Sequence, residues 1–99
     1  MTTPAMMVLV RFRTRLSLDE VLRVVEERAP EFRALQGLQQ KYYLQDTQSG
    51  KYAGLYHWAS PEALEAYQQS ELRASIAKAY ETDGEPEVQV YRVLKPLRT

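Results

Sequence analysis

The chain has 99 residues, 13 basic and 13 acidic side chains, and no cysteine. That length allows one domain with one core. The even charge balance provides no basic face for nucleic acid, the missing thiols exclude disulfides and thiolate metal sites, and no apolar run reaches the ~20 residues of a membrane span.

The opening MTTPAMMVLV has no charged start and no long apolar stretch, so no signal peptide is expected. The chain reads as cytoplasmic. Residues 1–99 are expected to form a single domain with tails at 1–5 and 95–99. Residues 6–14 alternate after Met7: Val8, Val10 and Phe12 point to one side, Leu9, Arg11 and Arg13 to the other. That period predicts a strand with one apolar face. Ser17 with Glu20 three residues later is a capping box, and Asp19 and Glu20 suit the positive end of a helix. Leu18, Val21, Leu22 and Val25 then fall on one helical stripe. Pro30 lacks an amide hydrogen and crowds the preceding turn. A break is therefore expected near Ala29, followed by a short turn carrying Phe32 and Leu35, with Gly37 as the left-handed stop.

A second strand is expected over about 38–46 and a third over 51–59. With a four-residue turn from Thr47 to Gly50, Tyr42 faces Leu55, Tyr43 faces Gly54, Lys41 faces Tyr56 and Gln40 faces His57. One sheet face then holds Tyr42, Leu44, Ala53, Leu55 and His57. The other holds Lys41, Tyr43, Tyr52, Tyr56 and Trp58. Ser60 followed by Pro61 starts the next helix. Leu64 and Tyr67 share one face, while Leu72, Ile76, Ala79 and Tyr80 form another. The step from Tyr67 to Leu72 breaks the period and Ser70 resembles a fresh cap, so two helical pieces are expected. Asp83, Gly84 and Pro86 end them, and 87–94 is the fourth strand.

The order β-α-β-β-α-β predicts a ferredoxin-like α+β fold. Right-handed crossovers place both helices on one face of a four-stranded antiparallel sheet. The uncovered face is expected to be the one with Tyr43, Tyr52, Tyr56 and Trp58. A face so aromatic calls for cover, and a second copy supplies it, giving a homodimer through the sheets.

His57 is the only histidine, able to act as a general base near its ordinary pKa of ~6.5, or simply to bond a neighbour such as Gln40. The tyrosine hydroxyls can donate to an oxyanion or serve packing; Trp58 suits packing. Lys41 can be the counter-ion of a bound phenolate or a cation against Tyr56. One histidine among scattered carboxylates makes no metal site, and neither a phosphate-binding glycine loop nor a nucleophile elbow is present.

The stretch KYYLQDTQSGKYAGLYHWASPEALEAY resembles the dimeric α+β barrel proteins, in particular their YdhR-like monooxygenase branch. The matching positions are Lys41, Tyr43, Gly50, Gly54, Tyr56, Trp58, Ser60 and Tyr67, and the similarity runs over about 37–72. The resemblance implies a dimer with a pocket in each subunit between sheet and helices. It also implies cofactor-independent monooxygenase chemistry on a small hydroxylated aromatic or quinone-type substrate. In that chemistry the deprotonated substrate donates an electron to oxygen, with no metal required. His57 and Tyr43 are then the catalytic candidates, with Lys41, Tyr42, Tyr56, Trp58 and Tyr67 around the substrate. A haem-degrading branch of the same superfamily has a helical tryptophan and histidine where this chain has Tyr67 and Ala77, and a first-strand asparagine absent here, so haem is not expected. A non-catalytic ligand-binding or stress-responsive dimeric module, or a purely structural dimerisation domain, are the alternatives, since one fold hosts many functions.

Overall fold

The computed structural model describes residues 3–98. Its elements are β1 (Met6–Phe12), α1 (Leu18–Arg33), β2 (Leu38–Gln45), β3 (Tyr52–Trp58), α2 (Pro61–Gln68), α3 (Glu71–Ala74), α4 (Ile76–Ala79) and β4 (Glu87–Arg92). The strands form one antiparallel sheet in the order β2-β3-β1-β4, the ferredoxin-like arrangement. Among the described residues no helix is long and apolar enough to cross a membrane.

The caps form as the sequence predicts. The Glu20 amide donates to Ser17 Oγ at 3.2 Å and the Ser17 amide donates to Glu20 Oε1 at 2.9 Å. These bonds hold the Glu20 carboxyl below its usual range. Ser60 caps α2 through the Ala63 amide, and Ser70 caps α3 through the Arg73 amide. The second helical stretch divides once more than expected, at Ser75, whose hydroxyl donates to the Leu72 carbonyl at 2.8 Å.

Two expectations need correction. The first is the break at Pro30: α1 runs through it to Arg33 as one helix. Pro30 and Glu26 are both exposed, so the Glu26 carbonyl that loses its helical donor can turn to water. Continuation matters, because it carries Phe32 onto the sheet, where it is 4% exposed.

The second is the covered face. The register within the β2–β3 hairpin is as predicted, with Lys41 opposite Tyr56 and Tyr43 opposite Gly54. The helices, however, lie on the aromatic side. Trp58 is fully buried and Tyr56 is 2% exposed, both in one cluster with Val8, Val10, Phe32 and Tyr67. The reason is β1. Val8 pairs with Tyr56 and Val10 with Gly54, so the aliphatic face of β1 and the aromatic face of β3 are the same face. Together they bury more apolar area than the other side could. The uncovered face instead holds Tyr42, Leu44, Leu55, His57 and, by register, Met7, Leu9 and Tyr91. Tyr42 is 49% and Tyr91 51% exposed.

Gly37 has φ 81°, and a Cβ there would fall on the Cβ of Ala63. Only glycine lets the entry to β2 approach α2 so closely. The Ala59 amide donates to the Gly37 carbonyl at 2.8 Å and completes that junction.

Candidate functional site

A cavity of about 120 Å³ lies between α1 and the centre of the sheet. Its walls are aliphatic, from Val10 of β1, Val21 and Val25 of α1, and Ile76 of α4. Leu18 and Leu22, on the same helical stripe as Val21 and Val25, also line it, yet each is about half exposed and so stands at its rim. The polar residues in its lining are Lys41, Tyr43, Gln45, Tyr52, Tyr56 and Tyr80. No carboxylate or imidazole is among the described lining residues.

Lys41 extends from β2 across the neighbouring strand. Its Nζ lies 3.4 Å from the ring centroid of Phe32 and 4.5 Å from those of Tyr43 and Tyr56. Gly54 makes the room. A Cβ there would come to 3.1 Å from Tyr56 Cε1 and 3.3 Å from Lys41 Cε, tighter than ordinary contact. The ion pairs among the described residues are Arg11–Asp46 and Lys51–Glu87, so Lys41 has no carboxylate partner. Burial, with help from the Arg28 charge, pushes its pKa down to about 7. The faces of the three rings attract the charged form and act in the opposite sense.

Arg28 of α1 lies behind this cage. Its guanidinium carbon is 5.5 Å from the Phe32 centroid and 5.9 Å from that of Tyr80. It donates to Ser75 Oγ at 3.1 Å and to the Leu72 carbonyl at 3.3 Å, tying α1 to the second helical stretch.

The phenols are held protonated. Burial raises Tyr43 and Tyr67, pushes Tyr80 up to about 12, and moves Tyr56 well above its ordinary value. Tyr67 OH donates to Tyr56 OH at 3.4 Å. These hydroxyls can therefore donate to an oxyanion near neutral pH but cannot serve as bases there. A second hollow of about 330 Å³ shares Lys41 and Tyr43 with the first and adds Phe32, Arg33, Gln39 and Gln40. The lysine amine thus stands between an apolar cavity and a more polar one.

The seven site residues named from the sequence separate into three places. Lys41, Tyr43 and Tyr56 meet at the cavity. Tyr67 and Trp58 lie in the core beside Tyr56, the tryptophan ring stacked on it and 5.1 Å from the Tyr67 ring. Tyr42 and His57 stand on the uncovered face, edge to face at 5.5 Å. The two catalytic candidates, His57 and Tyr43, therefore do not share a site. His57 follows Tyr56 directly, and strand alternation turns it to the other side of the sheet. Sequence reasoning missed Phe32 and Arg28, which arrive from α1; Tyr80, one of the tyrosines able to donate to an oxyanion, reaches the cavity from the end of α4. Gly54 was the legible signal: a glycine inside a strand marks a close approach.

No protein-family model and no curated protein sequence matches the chain. Solved structures do. The chain is similar to SnoaB, a cofactor-independent oxygenase from Streptomyces nogalater, with a TM-score of 0.76 and 15% identity over 98% of this chain and 100% of SnoaB. It is similar to Rv0793 from Mycobacterium tuberculosis, with a TM-score of 0.70 and 18% identity over 93% and 97% of the two chains. A candidate antibiotic biosynthesis monooxygenase from Deinococcus radiodurans gives a TM-score of 0.73 at 13% identity over 95% and 97%. The chain has the α+β barrel fold of these antibiotic biosynthesis monooxygenase-like proteins. At such identities the likeness is one of fold.

Proposed function

We propose that the chain is a cytoplasmic, cofactor-independent monooxygenase of the YdhR-like kind, acting on a small hydroxylated aromatic or quinone-type molecule. The observation that carries this reading is the cavity: apolar walls with one unpaired amine and several protonated phenols converging on it. A cavity on this scale suits one aromatic ring. Its walls exclude water from the bound ring, and Tyr43, Tyr56 and Tyr80 can donate to an oxyanion that develops on it. Tyr67 orients Tyr56 through their shared hydrogen bond. For a substrate with a ring methylene the reaction balances with dioxygen alone. One oxygen atom becomes the new ring carbonyl, the other leaves as water with the two methylene hydrogens, and no external reductant is required.

The active form is read as a homodimer. The uncovered sheet face, with Leu55 and the exposed Tyr42 and Leu44 on it, is an apolar surface that a second copy would bury. The rings first expected at that interface are those of the core and the cavity instead.

Oxygen uptake tests the catalytic part. The pure protein should consume oxygen with one or more members of a panel of hydroxyquinols and anthrone-like compounds, and lose that activity on Tyr43→Phe. Ligand-induced melting shifts without oxygen uptake would leave a binding module. Neither uptake nor shifts across the panel would leave only a structural dimer.

A further inference from the structure

We propose that the ε-amine of Lys41 is the proton acceptor of this cavity, so that the site selects aromatic ligands carrying an ionisable hydroxyl and discriminates against their methyl ethers. The inference rests on reading the cavity as the substrate site.

Buried lysines are normally neutralised by a carboxylate partner, which fixes their charge. Lys41 is enclosed by three aromatic faces instead. Such a cage accommodates both states: the ring faces favour the cation, and the apolar surroundings favour the free amine. The other ionisable groups around it do not compete for a proton near neutrality. Tyr43 on β2, Tyr56 on β3, Tyr67 on α2 and Tyr80 after α4 all keep their protons more firmly than a free tyrosine. Arg28 from α1 and Arg33 beside the second hollow are permanent cations. Glu26 of α1 acts on Tyr43, yet neither cavity has a carboxylate among its described lining residues. Lys41, poised at about 7, is therefore the group placed to exchange a proton with a ligand.

The charge inventory points the same way. Among the described residues, a protonated Lys41 and Arg28 share the ring of Phe32 with neither in an ion pair with a carboxylate. An anionic ligand would supply the missing charge. In the step, the ligand's O–H bond breaks and a bond from the proton to Lys41 Nζ forms. The electron pair stays on oxygen, and the resulting phenolate faces an ammonium. No oxidant takes part, so the event is separable from any later reaction with oxygen.

The probe is 4-nitrophenol, whose phenolate alone absorbs in the violet, compared with 4-nitroanisole. Calorimetry in buffers of differing ionisation enthalpy counts the protons exchanged. At about pH 6 Lys41 is already charged, so binding as phenolate should release a proton and develop the violet band; at about pH 8.5 the amine is free and the nitrophenol ionised, so binding should take a proton up. The anisole should bind at least tenfold more weakly. At about pH 6 Lys41→Met should lose both the band and the proton release while remaining folded. Lys41→Arg should keep the band but take up no proton at the higher pH, separating positive charge from proton acceptance. Equal affinity for the anisole, no binding of nitrophenol, or an unchanged band and proton release in Lys41→Met at the lower pH would each overturn the proposal. Oxygen uptake that survives Lys41→Met overturns it while sparing the monooxygenase reading. Proton-linked binding without uptake by any panel member does the reverse.

Discussion

Replacing Lys41 by methionine should stabilise the protein, and the gain should depend on pH in a defined way. The amine falls from an ordinary 10.5 to about 7 in the folded state. At ~1.4 kcal/mol per pH unit, that shift corresponds to roughly 5 kcal/mol of penalty for folding around the charged form. The sign follows from proton counting. Between about 7 and 10.5 the unfolded chain binds a proton that the folded chain does not, so wild-type stability rises with pH across that window. Below about 7 both states are protonated and the penalty is complete; above 10.5 neither is, and it vanishes. Urea denaturation of both proteins at several pH values measures the difference. Lys41→Met should exceed wild type by roughly 5 kcal/mol at about pH 6, with the advantage shrinking steadily towards pH 10. A constant packing difference between the two side chains does not affect that slope. A stability difference that stays flat across the range would refute the depressed amine, and with it the reasoning about the cage.

The remaining predictions concern placement. Gly54→Ala should cost about 1 kcal/mol in denaturant melts and weaken 4-nitrophenol binding, because the new methyl displaces the Lys41 stem or the Tyr56 ring; unaltered binding would show that the glycine does not position the amine. Gly37→Ala should cost about 3 kcal/mol, from positive φ and from collision with Ala63, readable as a large loss of melting temperature. Leu55→Lys, in the middle of the uncovered face, should shift sedimentation from dimer to monomer at micromolar concentration without unfolding the subunit; a wild-type protein that sediments as a monomer would refute the dimer. His57→Ala should leave the nitrophenol affinity within about twofold, since that ring stands on the far side of the sheet from the cavity.

Much of the frame was legible because local chemistry determines it. Asp46 accepts from the amides of Gln48 and Ser49 at 2.8 and 3.1 Å, so the turn has one length and the β2–β3 register follows. Serine caps mark the starts of α1, α2 and α3 for the same local reason. The covered face was not legible from that hairpin alone. Alternation says which residues share a side, not which side meets the helices. The pairing of Val8 with Tyr56 supplies that information, and it joins residues 48 positions apart. Lys41 was visible as a cation near aromatics. Its enclosure was not, because Phe32 reaches it only if α1 continues through Pro30, against the proline's own preference.

Trp58 is the chain's single tryptophan, it is wholly shielded from water, and its ring parallels that of Tyr56 at 6.4 Å. Tyr56 in turn forms part of the cavity wall. The molecule thus contains its own optical gauge one ring away from whatever occupies the cavity. Its emission should change in colour or yield as occupancy changes, with no label attached.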